Sequence, residues 1–170
     1  DTPPDVARIN ALSDIVKDNL LAPLTDYAAL YKWDRIPAGQ MAQYTVDENG
    51  VRGTGTQYTV ASGFTMTGVY FNRDLAAQVG IDGVPATVAE YEAALQKAKD
   101  AGLIGISAGN QNGQVATSFQ FLLNNNMGQE AINGWIFHAP AATMDTPEAA
   151  AAGDTVADWA AKGYFGDKAG

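Results

Sequence analysis

Four side-chain amides fall close together at Asn110, Gln111, Asn112 and Gln114. Each pairs a donor with an acceptor, the combination that neutral, hydroxyl-rich ligands such as sugars require. They follow Leu103–Ser107 ("LIGIS"), whose short apolar run reads as a buried strand. In open α/β sheets, ligands bind just beyond the C-terminal ends of strands, where such a loop lies. Asn, Gln and Gly also simply make good loops, so composition alone leaves both readings open.

Catalytic arrangements are poorly represented. The one histidine, His138 in "WIFHAP", has no carboxylate or hydroxyl at a recognisable motif spacing and reads as structural. Glu90, Glu92, Asp100, Glu130 and Glu148 fall mostly at helix starts or on solvated faces, where capping and solubility explain them. There is no G-x-S-x-G, no H-E-x-x-H and no phosphate loop. Gly53-Thr54-Gly55 lacks the further glycine and the helix of a dinucleotide fingerprint, and reads as a turn. No catalytic residue, metal or cofactor is therefore expected. The competing reading is an α/β glycoside hydrolase or transferase using carboxylates such as Asp34 or Asp47. A tryptophan face suits pyranose C–H groups. Trp159, however, falls on a buried helix face, and packing is also the expectation for Trp33 and Trp135.

The whole-chain balance narrows the partners. Ten Lys and Arg against nineteen Asp and Glu give a net charge of −9 over 170 residues. Nucleic acid and anionic membrane surfaces both need a positive patch, and no basic cluster exceeds two residues. No apolar run approaches the roughly 18 residues of a membrane span. The absence of cysteine removes disulfides and thiolate metal sites. The apolar fraction of 46% suits a globular protein.

These residues need elements to position them. Ile9, Leu12, Ile15, Val16 and Leu20 recur at helical spacing, predicting a helix over about Asn10–Asn19 that Pro23 ends. Asp5-Val6-Ala7 reads as the end of a strand. One or two helical turns are expected over Tyr27–Trp33, and Asn49-Gly50 signals a hairpin. Thr56–Val60 and Phe64–Phe71 are β-prone. Helices follow over Arg73–Val79, over Val88–Ala101 behind a Thr87–Glu90 capping box, and over Ala116–Asn124. A last helix starts at Thr146-Pro147-Glu148 and runs to Gly163, burying Ala149, Ala152, Val156 and Trp159. Strands alternating with helices predict an α/β fold with a largely parallel sheet.

Several short runs, in order, resemble the extracellular solute-binding proteins of carbohydrate ABC importers, the maltose-binding-protein-like family. Pro4-Asp5-Val6 resembles the family's "PDV" strand, and Leu21–Asp26 ("LAPLTD") its "L-x-P-L-T-D" helix exit. Val69–Leu75 ("VYFNRDL") is similar to "L-Y-Y-N-K-D-L", and Pro85–Tyr91 ("PATVAEY") to "P-K-T-W-D-E-L" with Val88 in the tryptophan's place. Gly163-Tyr164-Phe165 is similar to a late helix exit.

The resemblance implies a periplasmic-binding-protein-like fold of two lobes joined by a hinge, with only part of each lobe present. Residues 1–62 would be the end of the first N-lobe segment and the approach to the hinge. Residues 63–170 would be the hinge crossing and part of the C-lobe. It implies a non-enzymatic, monomeric protein that binds a sugar or oligosaccharide outside the membrane and passes it to the importer's membrane subunits. Its place would be extracytoplasmic, periplasmic or lipid-anchored at the cell surface. On the family pattern the ligand contacts would be Asn10 beside Ala11, Ser62 and Thr65 near the hinge, and Asn110, Gln111 and Gln114. A non-sugar solute is the further alternative. A cationic one would demand clustered acids, which the amide-rich loop does not offer.

Overall fold

The computed structural model describes residues 4–9, 12–61, 63 and 67–166. The chain divides into two compact units, one of Asp1–Thr65 with Gln129–Met144, the other of Met66–Gly128 with Asp145–Gly170.

In the first unit, helix α1 spans Leu12–Lys17 and buries Leu12. It falls within the expected Asn10–Asn19, of which residues 10 and 11 lie outside the described residues, and it stops earlier than Pro23. Asn19 adopts a left-handed conformation (φ 55°), a position that a short polar side chain tolerates. Leu20 consequently leaves the helix face and is 70% exposed. Helix α2 (Thr25–Leu30) and a 3₁₀ turn at Trp33–Arg35 supply the expected turns. Trp33 stacks on Tyr31 with ring centroids 6.4 Å apart. Helix α3 (Ala38–Met41) and a 3₁₀ turn at Ala42–Tyr44 carry no periodic signal strong enough to have been expected.

The hairpin forms where Asn49-Gly50 signals it. Strand β1 (Thr45–Val46) pairs antiparallel with β2 (Thr56–Gln57), with Thr45 opposite Gln57 and Val46 opposite Thr56. The Asp47 carboxylate holds the turn, accepting from the backbone N–H of Asn49 (2.9 Å) and of Val51 (2.8 Å). Val46 is 1% exposed beneath it. Arg52 donates its backbone N–H to the Phe137 carbonyl (2.9 Å), and its guanidinium lies 5.5 Å from the Phe137 ring centre. That pair ties the hairpin to the 129–144 segment within the same unit.

The second unit is helical. Helix α4 (Arg73–Gln78) is capped by the Asn72 side chain, which accepts from Leu75 N–H at 3.0 Å. Helix α5 (Val88–Asp100) is capped by Thr87 Oγ1, which accepts from Glu90 N–H at 3.2 Å. Glu90 returns the bond one residue further out, to Ala86 N–H at 2.8 Å. Gly102, at φ 74°, closes that helix in the left-handed conformation that glycine adopts without penalty. Helix α7 (Pro147–Ala161) opens on Thr146 as expected, and Ala149, Ala152 and Trp159 are buried. The Gly163-Tyr164-Phe165 exit packs onto α5: Tyr164 hydroxyl and Gln96 Oε1 are 3.0 Å apart.

Helix α6 (Ala116–Ile136) runs well past Asn124. It is broken at Gly128 (φ 79°, ψ 162°), a conformation essentially reserved for glycine. The division between the two units falls at that residue.

Three expected strands do not form among the described residues, and residues 64–66 of the Phe64–Phe71 run lie outside them. Asp5–Ala7 has no strand and Val6 is 89% exposed; residues 67–71 and 103–107 are also without ladder pairing. A β-prone run is fixed only by a partner on its edge and a surface beneath it. Val69 and Tyr70 have neither, at 57% and 94% exposed. Leu103–Ser107 makes one backbone bond to the helix exit, from Ile106 N–H to Tyr164 O (2.8 Å), while Ile104 turns outward at 62% exposed. The one ladder among the described residues is the antiparallel hairpin, not a parallel sheet.

Candidate functional site

The amide-rich loop follows the Leu103–Ser107 stretch as a series of turns leading into α6. Asn110, Gln111 and Gln114 are all exposed. Their backbone shapes the loop: Asn110 O accepts from Gly113 N–H (2.9 Å), and Gln114 O from Thr117 N–H (3.0 Å) and Thr117 Oγ1 (2.7 Å). Among the described residues none of these three side chains makes a hydrogen bond, so all three amides are open to a ligand. Asn10, Ser62 and Thr65 lie outside the described residues.

The loop connects two stretches of the wall of a cavity of about 530 Å³ within the second unit. Ser107 and Ala108 enter that wall before the loop, and Thr117 and Ser118 after it. Asn110, Gln111 and Gln114 are not part of the lining. The aromatic face of the cavity is Tyr91, with ring centroids 5.6 Å from Trp159 and 6.0 Å from Phe121. Trp159 is 1% exposed and its indole N–H donates to Glu92 Oε1 at 2.8 Å, so packing, not ligand stacking, occupies it. Burial pushes the Tyr91 hydroxyl above its ordinary pKa, because the phenolate would have to form away from water.

Sequence reasoning passed over Gln120, Phe121 and Asn124 of this wall. With Thr117 they repeat at helical spacing along α6, and that stripe was the signal available.

The other singled-out residues belong to the first unit and are not part of this lining. His138 is exposed in a left-handed turn (φ 61°) just after α6. Trp135 is 48% exposed. Asp34 is exposed on the 3₁₀ turn, and the Asp47 carboxylate is occupied by two backbone N–H groups. Among the described residues no group of three His, Asp or Glu side chains could hold a metal ion. No helix among them is long and apolar enough to cross a membrane.

The profile of the bacterial extracellular solute-binding protein family matches residues 1–170, the full length of the sequence. The chain belongs to that family. Solute-binding proteins of this kind take a small-molecule ligand outside the cytoplasm, work with the membrane subunits of ABC transporters and are generally non-enzymatic. A largely helical chain with a small sheet is compatible with part of a solute-binding fold. No curated protein and no solved structure matched the chain.

Proposed function

We propose that this solute-binding protein captures a neutral sugar or oligosaccharide and delivers it to an ABC importer as a monomer, without turning it over. The family match supports the delivery role. The observation that carries the choice of ligand is the exposed loop with three unoccupied amides, Asn110, Gln111 and Gln114. Amides match hydroxyl groups in both senses of donation, and they carry no charge that a neutral ligand would have to desolvate.

In this reading Asn10, Ser62 and Thr65 complete the contacts, and the protein is a two-lobed, hinged binder. Residues 1–62 then belong to the first lobe and the approach to its hinge, and residues 63–170 to the crossing and the second lobe. Its place is the periplasm or a lipid anchor at the cell surface. Asp47 is committed to the hairpin turn, which takes away one of the carboxylates named for a hydrolase reading.

Calorimetry against a panel of mono- and oligosaccharides tests the proposal. One sugar should bind saturably. Gln111→Ala should weaken it about fivefold to a hundredfold, from a lost hydrogen bond and a buried ligand hydroxyl left unpaired. Sugar binding indifferent to Gln111→Ala would remove the loop from the site. Specific release of product from an aryl glycoside, abolished by one carboxylate substitution, would replace the binder with an enzyme.

A further inference from the structure

The cavity of the second unit has a chemistry of its own. Its volume of about 530 Å³ lies within the roughly 300–1,000 Å³ of small-molecule sites. Among the described residues lining it there is no Asp, Glu, Lys, Arg or His. A charged guest would therefore find no counter-charge in the lining. Space is left by small side chains, Ala94 and Ala98 standing one turn apart on α5. The aromatic wall of Tyr91, Phe121 and Trp159 presents ring edges and faces at centroid spacings of 5.6 and 6.0 Å. Gln120 and Asn124 stand one turn apart on α6 beside Phe121, and neither side chain bonds to another described residue. An aromatic wall with two free neutral amides beside it defines a guest of matching polarity.

We propose that this cavity is a second ligand site, taking an uncharged, ring-bearing small molecule with a single hydroxyl or N–H group. The ring packs against Tyr91, Ala94 and Ala98 along one face of α5 and against Phe121 of α6, and the polar group meets Gln120 or Asn124. This site is independent of the amide loop, which does not line it, and of the sugar reading. Its test contains no sugar.

The probe is N-phenyl-1-naphthylamine, neutral at pH 7, ring-bearing and carrying one N–H, whose fluorescence rises on leaving water. Titrated into the 170-residue chain, it should bind saturably with one probe per protein. Ala98→Phe fills the cavity from α5 and should weaken binding by at least about tenfold. Val69→Asp places a charge in the lining at a position already 57% exposed, where folding tolerates it, and should weaken binding similarly. Near-UV circular dichroism identifies variants that keep their tertiary packing, and Val69→Asp carries the test if Ala98→Phe does not. Non-saturable uptake, or equal affinity in a folded variant, overturns the proposal. So does binding that appears only at protein concentrations where the chain dimerises, which would make the cavity a protein interface. None of these outcomes alters the prediction for Gln111 and sugar.

Discussion

The Trp159–Glu92 pair fixes α7 to α5, and its removal can be worked out from the contacts. Trp159 is 1% exposed, meets Tyr91 edge-on at 5.6 Å, and donates its indole N–H to Glu92 Oε1 at 2.8 Å. Trp159→Phe keeps a six-membered ring for Tyr91 and deletes the donor. A hydrogen bond to a charged acceptor contributes about 1.5–3 kcal/mol, and the smaller ring forfeits roughly 1 kcal/mol of packing. Glu92 is only half-buried, so water recovers part of its solvation, which places the total near 2–3 kcal/mol. Glu92→Gln retains an oxygen acceptor and lowers the bond to a neutral one, a loss of about 1 kcal/mol. In a chain already carrying Trp159→Phe that second loss should vanish, giving a coupling energy of about 1 kcal/mol. Urea unfolding of all four proteins, followed by far-UV circular dichroism, measures the cycle. If Glu92→Gln costs the same with and without the indole, the bond does not join the helices.

Four other substitutions address the remaining elements. Thr87→Ala removes the cap of α5 and should cost about 1 kcal/mol in urea unfolding while leaving sugar affinity unchanged; weakened affinity at constant stability would place Thr87 in the site. Gly128→Ala meets only the conformational penalty of about 1–3 kcal/mol, because nothing lies within 4 Å of the added carbon. Gly55→Ala, at φ 86°, would also drive that carbon against the Val46 carbonyl and to 2.7 Å from Asp47 Cα, so its melting temperature should fall further. Equal losses at the two glycines would mean that the hairpin yields freely. Tyr91, raised by burial, keeps its proton in the folded state after the unfolded chain has lost it. Its contribution is therefore complete below about pH 10 and disappears as pH climbs through the raised folded value. Tyr91→Phe should flatten the part of the alkaline decline in urea stability that belongs to this residue, and an unchanged slope would show that the hydroxyl is solvated.

Local chemistry was legible wherever a residue acts on its near neighbours. Thr87, Asn72 and Thr146 cap α5, α4 and α7 because a side-chain oxygen reaches an N–H three residues on. Asn49-Gly50 made a hairpin because few residues reverse a chain so tightly, and Trp159 was buried because α7 has one apolar stripe. The amides at 110–114 were visible as a type of chemistry. What depended on distant partners was not legible. Val69-Tyr70-Phe71 and Leu103–Ser107 carry strand sequences, yet hydrogen-bonded neighbours at their edges decide whether they are strands, and those neighbours are not encoded in the runs themselves. The break of α6 at Gly128 needed the surroundings of both halves, since a glycine inside a helical pattern is equally a tolerated cost of about 1 kcal/mol. The uncharged cavity assembles residues from Thr67 to Trp159, a range across which sequence spacing carries no information about contact. Periodicity specifies which face of an element is apolar, and only the tertiary structure decides what that face meets.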